Sequence, residues 1–359
     1  MRKVFIIAEA GGNHNGDINI AKKLIKSAKY CGADAIKFQT FIPKNLITEK
    51  NKVVLYQKKN LRKKMSALQI LKLCELKFSD HKILKKYSSR MGLQFLSSAF
   101  DMGSLDFLSK TLKIKIHKLP SGEITNYQLL FEHGLRNHRL IMSTGMSNIN
   151  EIKNAINVLA YGYLSFKKRK IKLPSKKILK KNYFKKAYPI LKKKLTILHC
   201  TSNYPAKIKD LNLNVLKSFI KEFNLDVGYS DHSLSLITPV IAVSLGSKII
   251  EKHFTLNNNL IGPDHKSSLE PKEFSQMVQN IRTTEIILGS SIKRINDEEK
   301  KIKNNIRKVL VANQKIKKGE IFKFENLISK RSSKGVSANQ FWNFIGKRAN
   351  KSYKKDQEI

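Results

Sequence analysis

Acidic residues are scarce. Against 70 lysines and arginines the 359-residue chain sets only 27 aspartates and glutamates, a formal net charge of +43. Such an excess raises nucleic acid as a partner. Yet the lysines are spread along nearly every amphipathic segment, and no aromatic-interleaved basic motif, zinc finger or basic coiled-coil region accompanies them. The charge reads as a lysine-biased surface that draws anions inward. Cysteine is sparse too: Cys31, Cys74 and Cys200 are odd in number and far apart, which excludes a disulfide framework and a C-x-x-C thiolate site. No uncharged apolar run approaches the roughly 18 residues that span a bilayer. The opening "MRKVFIIAEAGGNHNGD" begins like a signal peptide, but Glu9 and Asp17 cut its apolar run short. It reads as the first core strand of a cytoplasmic protein.

What is abundant is alternation. Eight short apolar runs, at 4–11, 35–41, 93–100, 115–122, 139–145, 195–202, 226–232 and 248–255, are separated by segments with apolar residues at three-to-four spacing. Eight β-α units predict a (β/α)8 TIM barrel over residues 1–290. A doubly wound open sheet is the alternative, but "GGNHNG" after the first strand is no glycine-rich phosphate loop. Residues 163–194, dense in lysine, read as a solvated helical insertion. A linker over 291–306 and a small separate domain over 307–359 complete the expected organisation.

In a parallel barrel, function sits at the C-terminal ends of the strands. Polar residues recur there: Glu9, Lys37 with Gln39, Ser98, Lys118 with Ser121 and Glu123, Ser143, His199, His232 and His253. By strand alternation Ser230 and His232 share one face, as do Glu251 and His253, while Asp231 points the other way. Two imidazoles from neighbouring strands suit a divalent first-row metal such as Mn²⁺, with Asp231 as a supporting contact. Lys37 and Lys118 lie inside otherwise apolar runs, where a buried ammonium requires an anion. With the hydroxyls of Ser98, Ser121, Ser143 and Ser230 they form a cradle for phosphate and carboxylate. A Schiff-base lysine is the rival chemistry. Glu9 and Glu123 are the carboxylates available for proton transfer.

The ordered motifs "IIAEAGGNHNGD", "AIKFQTF", "KLPSGEITN", "IMSTGM", "HCTSNYPA", "VGYSDHS", "EKHFT" and "GPDHKSSLEP" resemble those of the sialic acid synthases. The tail resembles their antifreeze-like (SAF) β-clip domain. The resemblance implies condensation of phosphoenolpyruvate with the open-chain form of N-acetylmannosamine or a related amino sugar, with loss of phosphate by C–O cleavage. It implies His232 and His253 as ligands of Mn²⁺ or Mg²⁺, and Lys37, Lys118, Ser98, Ser121, Ser143 and Ser230 as the phosphoenolpyruvate grip. Glu9 and Glu123 match active-site carboxylates. Gln39, Tyr204, Asp264 and Arg331 match sugar contacts, Arg331 reaching the partner's site in a domain-swapped homodimer. Two departures stand out: "SSAF" at 97–100 lacks the family's proline, and Ser332 follows Arg331 where a proline is common. N-acetylneuraminate is the first product expected. Legionaminate, from a 2,4-diacetamido-trideoxy mannose, is the close alternative, pseudaminate a less favoured one, and a basic nucleic-acid-binding barrel the distant reading.

Overall fold

The computed structural model describes residues 3–48, 52–53, 60, 65–168 and 172–359. They divide into two compact units, Met1–Gly289 and Ser290–Ile359.

The first unit is a closed barrel of eight parallel strands in sequence order. The strands are β1 (Phe5–Glu9), β2 (Ala35–Thr40), β3 (Gln94–Ala99), β4 (Ile116–Leu119), β5 (Arg139–Ser143), β6 (Leu195–Cys200), β7 (Asp226–Asp231) and β8 (Ile249–His253). β8 pairs with β1, Glu9 opposite His253, and this closes the ring. Each of the eight apolar runs is therefore a barrel strand.

Alternation along the strands sorts the side chains. Ile7, Ala35, Leu96, Ile141, Leu198 and Ile249 point inward and pack together as an apolar plug. The residues two positions further on, among them Glu9, Lys37, Ser98, Ser143 and Glu251, point inward one level higher and replace the plug with polar groups. The intervening side chains face the helix layer and join the large outer core. Gly228 makes the plug possible, since a Cβ there would stand 2.5 Å from Leu198 Cδ2 and 2.6 Å from the Ile249 carbonyl.

The helices follow ordinary rules. Ile18–Tyr30 is capped by Asp17, whose carboxylate accepts from the Asn19 and Ile20 N–H groups, and it buries Ala21, Leu24, Ile25 and Ala28 at helical spacing. Among the described residues no helix is long and apolar enough to cross a membrane.

The lysine-rich stretch departs from its expected place outside the barrel. Helix Ile149–Lys168 runs into it and buries Tyr163 and Ser165. Its last part is the helix Phe184–Lys194, which buries Ala187 and Leu191 and leads directly into β6. Burying one stripe while exposing the lysines makes these segments part of the barrel's outer layer. Residues 169–171, inside the stretch, lie outside the described residues.

The second unit begins at Ser290 and contains a helix, Asp297–Ile306, where a linker was expected. A capping box of Asn296 and Glu299 starts it, and the ion pairs Lys300–Asp297 (2.8 Å) and Lys301–Glu298 (2.6 Å) decorate it. Beyond it, antiparallel β9 (Lys308–Ala312) and β10 (Leu327–Arg331) carry a small core of Leu310, Ala312, Ile316, Phe322, Leu327 and Tyr353.

Candidate active site

A cavity of about 550 Å³ opens at the C-terminal ends of the strands. Glu9, Lys37, Gln39, Ser98, Lys118, Ser121, Ser143, Tyr204, His253 and Asp264 line it, so ten of the expected residues converge from eight separate chain segments. Ser230 and His232 lie beside it, in contact with the lining groups Glu251 and Tyr204 respectively. Glu123 follows the wall residues Ser121 and Gly122 but is not itself on the wall; its carboxylate accepts from Asn126 Nδ2 at 2.7 Å. Burial raises that carboxyl above its usual value, against the Asn126 hydrogen bond. Arg331 is exposed at the end of β10 in the second unit.

Two ammonium groups and two carboxylates interlock at the cavity floor. Lys37 Nζ lies 2.8 Å from Glu9 and 3.8 Å from Glu251; Lys118 Nζ lies 3.2 Å from Glu251. Ser230 Oγ donates to Glu251 at 2.9 Å, and Gln39 Nε2 donates to Glu9 at 3.4 Å. All four charged side chains are nearly inaccessible, so each depends on the others for compensation. The two carboxyls are driven apart. Burial pushes both up, but Lys118 and Lys37 outweigh it at Glu251 and hold that group at about 2. At Glu9 burial prevails over Lys37, helped by Glu251, and the carboxyl rises to about 7. Glu251 is a permanent anion, whereas Glu9 exchanges a proton near neutrality. Burial lowers Lys118 and Lys37 reinforces this, although Glu251 opposes it; at Lys37 burial yields to Glu251 and Glu9, which raise it.

Serine hydroxyls surround the lysines. Ser98 Oγ is 3.5 Å from Lys37 Nζ, and the buried Ser143 Oγ has no hydrogen-bond partner. Ser121 Oγ accepts from the Gly145 N–H at 3.0 Å and lies 3.0 Å from Cys200 Sγ. Gly145 is required for that approach: a Cβ would stand 2.2 Å from Ser202 Oγ and 2.9 Å from Ser121 Oγ.

The histidine pair stands on the opposite wall. The His232 and His253 rings are 5.5 Å apart, and Tyr204 lies over His232 at 4.2 Å. His232 Nδ1–H donates to the Thr201 carbonyl at 2.8 Å, which leaves Nε2 as its lone-pair nitrogen. His253 Nδ1 is buried without a partner. Burial lowers His232 to about 4 and His253 well below the usual imidazole value. Two neutral imidazoles, one oriented and one unsatisfied, fit a first-row divalent cation. Among the described residues no third His, Cys, Asp or Glu completes a compact ligand group with them, so a cation here would keep positions open for substrate oxygens. Burial raises Asp264 at the rim to about 6, against a backbone hydrogen bond from Gly12.

Two expected groups face elsewhere. Asp231 does not support the histidines: it accepts from Lys252 at 2.6 Å, Thr238 at 2.6 Å and the Ser233 N–H at 2.8 Å, behind the strand. The support for His232 is Thr201. His199 also faces outward, bonding the Leu211 carbonyl at 2.7 Å and packing against Phe219 and Tyr229. Glu251 received no role from the sequence, and Ser202 and Asn203, in the "TSNY" stretch that the resemblance places in the sugar-reading region, line the cavity with it. Glu251 was visible as the residue sharing a face with His253, but its partners Lys37 and Lys118 are more than a hundred residues away in the chain.

Fold and site together define a TIM-barrel protein whose cavity gathers two buried lysines, two carboxylates, a set of hydroxyls and a pair of neutral histidines. Residues 24–293 match the NeuB family, and the chain belongs to it. The N,N'-diacetyllegionaminic acid synthase of Campylobacter jejuni subsp. jejuni serotype O:2 is 44% identical over 359 residues, covering 100% of this chain and 99% of that protein. The synthase of the same name from Legionella pneumophila is 39% identical over 344 residues, covering 96% and 90%. The crystal structure of N-acetylneuraminic acid (sialic acid) synthetase from Leptospira borgpetersenii, in complex with citrate, aligns with a TM-score of 0.67 at 30% identity, covering 84% of this chain and 90% of that one.

Proposed function

We propose that this protein condenses phosphoenolpyruvate with the open-chain form of 2,4-diacetamido-2,4,6-trideoxymannose, releasing phosphate and forming N,N'-diacetyllegionaminic acid. The interlocked quartet of Glu9, Lys37, Lys118 and Glu251 carries the reading: two buried lysines face the cavity, and with Glu9 held toward its protonated form the quartet keeps a positive charge for an incoming anion. The sequence alone placed N-acetylmannosamine first. The 44% and 39% identities to two N,N'-diacetyllegionaminic acid synthases favour the diacetamido sugar instead. N-acetylneuraminate formation is the second reading, supported by the 30% identity to the sialic acid synthetase.

Lys37 and Lys118, with Ser98, Ser121, Ser143 and Ser230, grip the phosphate and carboxylate of phosphoenolpyruvate. Glu9, titrating at about 7, protonates as the anion arrives, so the trianion meets one carboxylate rather than two. The same group then exchanges a proton at the reacting carbons as water adds at C2 and phosphate leaves by C–O cleavage. Glu123 flanks this step from the turn after β4. Gln39, Tyr204 and Asp264 orient the sugar. His232 and His253 would hold Mn²⁺ or Mg²⁺, which when bound would supply Lewis-acid polarisation of the sugar aldehyde oxygen. The second unit is read as an antifreeze-like domain whose Arg331 completes the sugar site of a partner subunit in a domain-swapped homodimer.

The test is a competition of sugars. Purified protein with phosphoenolpyruvate and Mn²⁺ is offered both sugars and the products are resolved by mass. A product mass for the diacetamido acid supports the proposal; the N-acetylneuraminate mass alone favours the second reading, and neither product refutes both.

A further inference from the structure

Behind β4, on the face turned away from the cavity, three imidazoles meet. Strand alternation sends Lys118 into the barrel and its neighbour His117 outward against the helix Tyr127–Leu135, which contributes His133. His138, half-buried, follows on the loop into β5. One ring nitrogen from each of the three lies within 4.8 Å of the others, the one such group of three or more among the described residues.

Their hydrogen bonding is incomplete. His133 Nδ1 lies 3.1 Å from His138 Nδ1, and the His117 and His138 rings stack with centroids 3.6 Å apart. The Nε2 of His133 is buried without a hydrogen-bond partner, and the two buried nitrogens of His117 make no hydrogen bond of ordinary geometry, the Ile114 backbone being the polar group close to that ring. A buried polar atom left without a partner is destabilising, and an imidazole nitrogen so placed offers its lone pair to a metal ion. No carboxylate belongs to the trio, so the donors are borderline-soft nitrogens. These suit Zn²⁺, Ni²⁺ or Cu²⁺, whereas Mg²⁺ and Ca²⁺ prefer oxygen.

We propose that His117, His133 and His138 form a second metal site, selective for a Zn²⁺-type cation and separate from the His232–His253 pair. His133 Nδ1 and His138 Nδ1 share a hydrogen bond at 3.1 Å, close to the about 3.3 Å edge of a tetrahedron with about 2.0–2.1 Å bonds, so an ion would take the place of the shared proton. Parallel rings direct their lone pairs side by side, so one ring must turn for all three to converge. His138, half-exposed and on a loop, is the one free to do so, and its exposed side leaves the fourth position to water. The charge facing the site is compensated: Arg136 pairs with Asp106 at 2.6 Å and with Glu132 at 3.1 Å. Lys194 is directed to the Asn137 carbonyl. The ion would tie β4, which carries Lys118, to the helix behind it, a structural clamp on one wall of the cavity.

The test uses the full chain, stripped by chelator, with His232→Asn and His253→Asn to disable the other pair. Zn²⁺ is titrated by calorimetry and Co²⁺ by visible absorption. One equivalent should bind, with the intense Co²⁺ bands of a four-coordinate site and a rise in unfolding temperature. Adding His138→Ala should abolish that equivalent, since losing a ligand exceeds the about 10- to 100-fold cost of losing a ligand's support. His138→Gln, which keeps bulk, serves if the alanine variant does not fold. In the chain with His232 and His253 intact, the same substitution should lower total Zn²⁺ by one equivalent. Absence of saturable binding, or binding indifferent to residue 138, overturns the proposal.

Discussion

Replacing Glu251 by glutamine removes one charge from the quartet and almost no volume. In the wild-type protein this carboxylate is the only ion-pair partner of Lys118 among the described residues, at 3.2 Å, and it also stands 3.8 Å from Lys37. Without it Lys118 has no ion-pair partner among the described residues and feels the like charge of Lys37. Burial already lowers Lys118, and removing the Glu251 charge that opposes it should lower this lysine further. Breaking a buried ion pair by removing one partner costs about 3–5 kcal/mol. At about 2–4 °C per kcal/mol for a unit of this size, the unfolding temperature should fall by roughly 6–20 °C. Losing a charged contact to the substrate anion costs a further about 1.5–3 kcal/mol, so KM for phosphoenolpyruvate should rise about 10- to 100-fold. That rise should shrink as pH falls and Lys118 regains its proton. Differential scanning calorimetry and steady-state kinetics between pH 6 and 9 make the check. An unchanged unfolding temperature together with an unchanged KM would refute the claim that Glu251 keeps Lys118 charged.

Glu9 is raised from 4.5 to about 7, so the folded protein holds a proton there that the unfolded chain has lost, and stability from this group falls as pH rises between those values. The full shift is worth about 3.5 kcal/mol at about 1.4 kcal/mol per unit, of which about 2–3 kcal/mol falls between pH 5 and pH 8; urea unfolding at those two pH values should show wild type losing about 2–3 kcal/mol more than Glu9→Gln. Gly145→Ala drives a methyl group into Ser202 and Ser121; overpacking should cost about 1–3 kcal/mol and raise KM for phosphoenolpyruvate, read from the same kinetics. Treatment with EDTA should abolish phosphate release, and Mn²⁺ should restore it in wild type but not in His232→Asn.

The barrel was legible because its eight strands are short, apolar and evenly interrupted, which is a local property of the chain. The site was legible because barrel geometry brings strand ends together: Lys37, Lys118 and His253 could be placed at one mouth from position alone. Orientation was harder. His199 was grouped with the site by its place at a strand end, although alternation with the inward Leu198 turns it toward the helices. Asp231 was recognised as facing away from His232, yet its true partner, Lys252, emerged only from the pairing of β7 with β8. Pairings across the lumen, such as Lys118 with Glu251, depend on how the ring closes, and no segment of sequence records that. The helix Asp297–Ile306 was taken for a linker because only Ile302 and Ile306 in it are apolar; its cap and its i,i+3 ion pairs support the helix, and it buries none of its residues.

The most direct measurement is phosphate release from phosphoenolpyruvate in the presence of Mn²⁺ and the diacetamido sugar, run side by side for wild type and Lys118→Met. Sugar-dependent release by wild type, lost in a Lys118→Met protein that still folds, is the expected result. Equal release by both proteins, or none from wild type with either candidate sugar, would contradict an anion-condensing site built on these lysines.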